Sequence, residues 1–157
     1  DLGSNNLINY KNSDVTVIPI DLDFSVINRL TFRGFNAILA DLSSLFLDKS
    51  DNSYQILTYS YHAESALFLG ILHHLVITLR LPYEFIFERL SQLYSHVLIE
   101  VPHNDDPLVK LLISNCEKTF KWSHKTIISK LNTYFEILDQ KDASSTRTLL
   151  TCKSLNF

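Results

Sequence analysis

The chain has 157 residues, of which 46% are hydrophobic, with fourteen basic side chains against seventeen acidic ones and a formal charge of −3. That length accommodates one globular domain with a real core, and the near-balanced charge gives no cationic field to attract nucleic acid. Cys116 and Cys152 lie far apart with no C-x-x-C spacing, and no signal peptide or transmembrane stretch is visible. The expected setting is therefore the reducing cytoplasm, away from membranes.

The opening DLGSNN has the composition of a turn leaving a strand, and that strand is expected upstream of Asp1. VTVIPI, Val15 to Ile20, reads as a buried strand ending on Asp21 and Asp23. Asp23 then caps a helix with Val26, Ile27, Leu30 and Phe24 on one face, which Gly34 stops. Asn36 to Ala40 is a third strand ending on an acid, Asp41. The segment Asp48–Ser53 is a polar loop, and Tyr54–His62 fits a helix or an extended stretch. SALFLGILHHLV, Ser65 to Val76, holds a strand over Ser65–Leu69, expected to be buried on both sides. A helical stretch follows from about His73 to Leu79.

Pro82 opens a helix to about Tyr94 with Phe85, Ile86, Leu90 and Leu93 on one stripe. Val97–Val101 is a strand followed by the polar loop PHNDD. Asp106 caps and Pro107 starts a helix carrying Leu108, Leu111 and Leu112, and Ser123 caps a helix with Ile127, Ile128, Leu131 and Tyr134. Phe135–Leu138 and Thr148–Cys152 form an antiparallel hairpin around the polar turn DQKDASS. The sum is an α/β fold, a three-layer sandwich with a mostly parallel sheet and an antiparallel C-terminal edge hairpin. The first strand is missing from the given stretch.

In such sheets ligands bind just past the carboxyl ends of the strands, which makes Asp21, Asp41, His73 and His74 the candidates. Histidine titrates near neutral pH, so His73 and His74 are the candidate catalytic bases, with local packing of one and solvation of the other as the alternative. His62, His103 and His124 show no metal-ligand spacing, and no metal is expected. Glu100 and the PHNDD loop are candidates for contact with a substrate, and the aromatic residues Tyr54, Tyr59 and Tyr61 for pocket or core. Arg147 reads as a partner for an acid on an edge strand.

The ordered succession DLGSN, IDLD, LADLS, LFLGILHHL, LPYEFI, LIEVPHNDDPLV and STRTLL resembles the S-adenosylmethionine-dependent methyltransferases of the seven-stranded, Rossmann-like type. The likeness is to a bacterial branch with DLG-x-N, LHHL, IEF-x-P, DP and RTL in that order. The resemblance covers nearly all of the chain and implies one methyltransferase-like domain over residues 1–157, lacking its natural N-terminus. It further implies S-adenosylmethionine as cofactor and a small-molecule methyl acceptor. By position it places Asp1 and Gly3 at the methionine end of the cofactor, Asp21 on the ribose hydroxyls with Asp23 as the alternative, and Asp41 and Leu42 at the adenine. Gly70 and Leu72 then lie beside the sulfonium and the acceptor. Eleven residues, Ser4 to Asp14, separate Gly3 from Val15, and the chain has three glycines. That shortened loop keeps a second reading open, a domain that retains the fold as an interaction module. A nicotinamide-dependent oxidoreductase ranks below both, since G-x-G-x-x-G is absent.

Overall fold

The computed structural model describes residues 18–21, 23–39, 46, 63–116 and 121–157. The chain forms two compact units, Asp1–His62 and Ala63–Phe157.

In the first unit, β1 (Ile20–Asp21) pairs in parallel with β2 (Ile38–Leu39), Ile20 opposite Ile38. Between them runs α1 (Phe24–Phe32). The Asp23 carboxylate accepts the Ser25 N–H at 2.7 Å and so satisfies one of the first-turn donors that a helix leaves unpaired. Gly34, at φ 85°, ends α1 in the left-handed conformation that glycine adopts without a Cβ clash. Ile27 and Leu30 are buried as the spacing requires. Phe24 is 64% exposed, so it leaves the expected apolar face: at the first helical position it lies on the outer side of the turn. Of the expected strand Val15–Ile20, only Ile20, with the following Asp21, is paired in the described part. Residues 1–17 and the segment 47–62, with its loop, ambiguous stretch and tyrosines, lie outside the described residues.

The second unit holds a four-stranded sheet in the order β3 (Ser65–Phe68), β4 (His96–Pro102), β6 (Arg147–Ser154), β5 (Phe135–Ser144). The pair β3–β4 is parallel, and β6 runs antiparallel to both β4 and β5. Side chains alternate across this sheet. One face carries Phe68, Val97, Ile99, Val101, Leu150 and Cys152, all buried. Helix α4 (His124–Leu131), with Ile127 and Leu131 buried, contacts β4 and also α2 (Tyr83–Leu93). The opposite face carries Leu67, Leu98, Glu100, Leu149 and Thr151, which are half-buried or exposed. Leu67 is 54% exposed, so β3 is not the doubly buried strand its apolar run suggests. The run is apolar because it serves two elements. After Phe68 the chain turns at Gly70 (φ 67°), becomes helical at Leu72 and continues as a π-turn over His74–Thr78, closed by the Leu79 N–H on the His74 carbonyl. The β-branched run Val76, Ile77, Thr78 is poorly suited to a regular α-helix.

Pro82 precedes α2, whose buried stripe is Ile86, Phe87, Leu90 and Ser91. Phe85 is 42% exposed, and Phe87 takes the core position expected for it. In α3 (Pro107–Ser114) the buried residue is Val109, whereas Leu111 is 55% exposed. In both helices the apolar residues cover more than one face, so the docking partner chooses the face. The hairpin also differs from expectation. Asp139 to Ser144 belong to β5, and the turn shrinks to Ser145–Thr146. Irregular steps in register at Ile137/Asp139 and Asp142/Ser144 let this polar segment stay paired, and a polar, kinked strand suits a sheet edge.

The choice of face on α3 is testable by urea denaturation followed through Trp122, the single tryptophan. Val109→Ala is expected to cost about 2 kcal/mol, the transfer of two buried methylenes plus some cavity. Leu111→Ala should stay within roughly 0.5 kcal/mol. The reverse order would place the wrong face in the core.

Candidate functional site

The carboxyl ends of β3 and β4 and the start of β6 meet at one end of the second unit's sheet, because Pro102 is paired with Arg147 and Phe68 with Ile99. Asp106 is the hub of this end. Its Oδ1 accepts the Leu108 and Val109 N–H groups at 2.9 and 3.2 Å and caps α3. Its Oδ2 accepts the Thr146 hydroxyl at 3.1 Å and Arg147 Nε at 2.8 Å. Arg147 Nη1 donates in turn to Glu100 Oε1 at 2.7 Å. Glu100 and Arg147 share a sheet face, since Glu100 is two residues before the Pro102 that Arg147 faces. The Asp106 side chain is 2% exposed. Burial alone would raise its carboxyl, but Arg147, the Val109 N–H and the Thr146 hydroxyl outweigh it and hold the group below the ordinary aspartate value. The same pairing raises Arg147. Arg147 therefore corrects its sequence reading: β6 is an interior strand, and the guanidinium bridges two acids.

His73 and His74, adjacent in sequence, occupy opposite environments. His73 is fully buried and His74 is exposed, with ring centroids 4.4 Å apart. Neither ring nitrogen of His73 has a hydrogen-bond partner. Burial, then the neighbouring His74 and Arg147, pull its pKa down to about 4, and Asp106 opposes them. At neutral pH it is an uncharged imidazole, and so weak a base is a poor proton acceptor. His74 is the histidine exposed to solvent. Behind β4, His103 Nε2 lies 2.7 Å from Thr148 Oγ1, and its ring is 4.5 Å from that of His124. Trp122 donates to the Pro102 carbonyl at 2.9 Å and stands edge-on to Tyr83 at 6.2 Å. The Tyr83 hydroxyl and His124 Nε2 are buried without partners. Burial, with Glu84, pushes Tyr83 up to about 12, and burial with His103 lowers His124.

Of the candidate cofactor residues, Gly70 sits in the turn after β3 with open space where a Cβ would stand, and Leu72 is fully buried beside it. Asp21 is half-buried at the carboxyl end of β1 in the first unit, with Oδ1 accepting the Asp23 N–H at 2.8 Å. Asp1, Gly3, Asp41 and Leu42 lie outside the described residues. Among the described residues no group of three His, Cys, Asp or Glu side chains is arranged to hold a metal ion, and no helix is long and apolar enough to cross a membrane. The clamp of Glu100, Arg147 and Asp106 was invisible to local patterning. Its partners are 41 and 47 residues apart, and the Asp-Pro cap is the only local trace.

No family model and no curated protein matches the chain. Solved structures do. The chain is similar to the PH0226 protein of Pyrococcus horikoshii OT3, with 12% identity, a TM-score of 0.58, and 96% of this chain and 76% of that one covered. It is similar to WbdD, a bifunctional kinase-methyltransferase, at 15% identity and a TM-score of 0.60 in a co-crystal with a kinase inhibitor. That likeness covers 98% of this chain and 33% of WbdD, so the chain spans about a third of that protein. The N-methyltransferase NodS of Bradyrhizobium japonicum WM9 follows at 12% identity and a TM-score of 0.53, with 87% and 72% covered. The chain thus has an α/β fold of the Rossmann-like methyltransferase kind.

The buried His73 makes stability depend on pH. Its folded pKa lies below the ordinary value of 6.5, so its destabilisation is absent above pH 6.5 and grows as pH falls toward 4, by at most about 3 kcal/mol. Urea denaturation at pH 7 and pH 5 should show this loss in the native protein and a reduced loss in His73→Leu. An equal loss in both would mean that His73 is not the acid-sensitive group.

Proposed function

We propose that the chain is a single-domain, S-adenosylmethionine-dependent methyltransferase, cytoplasmic, acting on a small-molecule acceptor and not on nucleic acid or a membrane surface. The observation that carries this reading is the extent of the fold likeness: 98% of the chain follows a bifunctional kinase-methyltransferase and 87% an N-methyltransferase. The free thiols of Cys116 and Cys152 support the reducing compartment.

Two of the described residues support this reading. A ribose diol pairs well with a carboxylate, and Asp21 stands at the carboxyl end of β1, its Oδ1 accepting the Asp23 N–H. A bulky sulfonium needs a backbone without a Cβ close by, and the turn at Gly70 leaves that space open. When bound, S-adenosylmethionine supplies an electrophilic methyl group, and the protein's task is alignment and exclusion of water. In this reading Asp21 binds the ribose, Asp41 and Leu42 take the adenine, and Asp1 and Gly3 take the methionine end. Gly70 and Leu72 shape the wall beside the methyl group, and His74 exchanges protons with an acceptor. His73, neutral and enclosed, stands on the core side of the turn that carries His74.

One observation favours a second reading, an interaction module that no longer catalyses: the nitrogens of His73 are closed off from any ligand.

Calorimetric titration with S-adenosylmethionine and S-adenosylhomocysteine separates the two. Binding is expected, and Asp21→Ala should weaken it by about tenfold or more, the loss of a charge-assisted pair of roughly 1.5–3 kcal/mol. No heat and no thermal shift at millimolar ligand would favour the module, and unchanged affinity in Asp21→Ala would remove the ribose assignment.

A further inference from the structure

The loop after β4 and the start of α4 are joined by three contacts. Trp122 Nε1 donates to the Pro102 carbonyl at 2.9 Å, the His124 N–H donates to Asn104 Oδ1 at 2.9 Å, and the rings of His103 and His124 lie edge to face at 4.5 Å. The two rings stand differently toward a proton. His103 Nε2 is 2.7 Å from Thr148 Oγ1, and a threonine hydroxyl both donates and accepts, so His103 keeps this bond whether neutral or charged. His124 has no such provision. Its Nε2 is buried without a hydrogen-bond partner, and in an imidazolium both nitrogens are donors, so the charged ring would carry a buried N–H with no acceptor. His124 is also the first residue of α4, the end of a helix where a cation is disfavoured, and it faces a second histidine.

The elements packed around this pair bring other ionisable groups, and none compensates a charge on His124. On the loop, Asp105 is exposed and Asp106 is committed to Arg147 of β6. On α2, Glu84 is paired with Lys130 of α4 at 2.7 Å, and Tyr83, pushed up to about 12, stays neutral. Lys125, next to His124 on α4, is exposed and of the wrong sign. Among the described residues no carboxylate lies within ion-pair distance of either imidazole. Burial first, and then His103, accordingly lowers the proton affinity of His124.

We propose that the contact of His103 with His124 is a proton-sensitive latch: neutral His124 holds the loop tip against the first turn of α4, and uptake of a proton from solvent by His124 releases it. The released part is small. Asp106 stays bound to α3 and Arg147, and the His103 N–H stays on the Thr146 carbonyl, so the movement is confined to Asn104, Asp105 and the start of α4. This loop borders the carboxyl end of β4. Acid therefore opens the rim at that end of the sheet and leaves its frame in place. The latch does not depend on the function proposed above.

The test uses the full chain, native and His73→Leu, the second removing the acid response of His73. Protection against hydrogen exchange, corrected for the intrinsic rate, is measured by NMR at pH 7 and pH 5. In both proteins the Trp122 indole N–H and the His124 amide are expected to lose protection by about tenfold on acidification, the effect of one buried donor left without an acceptor. Val109, capped by Asp106, and Leu150, in the interior strand, should keep theirs. His124→Gln, uncharged at both pH values and still carrying the amide that Asn104 accepts, should abolish the loss. The nitrogen shifts of the His124 ring in the native protein should follow the same midpoint as the loss. A mismatch of the two midpoints overturns the latch whether or not the variant folds. So does unchanged protection between the two pH values, an equal loss at Val109 and Leu150, disappearance of the loss in His73→Leu, or an undiminished loss in a folded His124→Gln.

Discussion

Asp106 serves two backbones at once, and the second unit's site depends on that double use. A cap needs one carboxylate oxygen, and here the other oxygen is spent on Arg147 at the start of β6. The start of α3, the end of β4 and the turn of the hairpin are thereby joined through one side chain that is almost wholly buried. Breaking such a pair from one side costs on the order of 3–5 kcal/mol when buried, and less for the partly exposed Arg147–Glu100 link. The hydrogen bond from the His103 N–H to the Thr146 carbonyl adds a backbone tie between the same two loops. The loops at this end are therefore fixed by the scaffold.

The same end carries several unsatisfied groups. Neutral imidazole has one donor and one acceptor, and in His73 both are buried unpaired, which costs on the order of 1–3 kcal/mol for each group. The cost is tolerated because Leu72, Leu75, Val76 and Ile77 around it are buried and hold the turn in place. The π-turn places His74 on the solvent side and His73 on the core side of adjacent positions, so one dipeptide gives a rigid element and a reachable one.

Much of this was legible where the signal is local. The caps Asp23, Asp106 and Ser123, the glycine stop at Gly34 and the apolar β4 all occur where short-range chemistry puts them. What escaped depends on distant partners. Phe85 and Phe87, or Leu111 and Val109, are equally apolar, and only the packing of α2 and α3 decides which is buried. Asp139–Ser144 is polar enough for a turn and becomes a strand because β6 offers it a ladder. Nothing near Arg147 in sequence announces Asp106 or Glu100. Asp21 ends β1 in the first unit and Gly70 follows β3 in the second, as their residue types suggest, whereas the joining of Asp106 and Glu100 through Arg147 had no sequence signature beyond the Asp-Pro cap.

The contrast between the two kinds of acid explains why strand-end carboxylates alone are an incomplete guide. Asp21 ends β1 and Glu100 stands inside β4, and Asp21 has a backbone N–H on one oxygen, whereas Glu100 is fixed by a guanidinium. A carboxylate held only by its own turn is suited to hydroxyl donors, which are neutral and ask for geometry. A carboxylate whose neighbouring cation is shared with a second acid is instead held in one orientation by that cation. The difference between an acid held by its own turn and an acid held by a guanidinium thus follows from Arg147, a single residue placed opposite Pro102 by the pairing of β4 with β6.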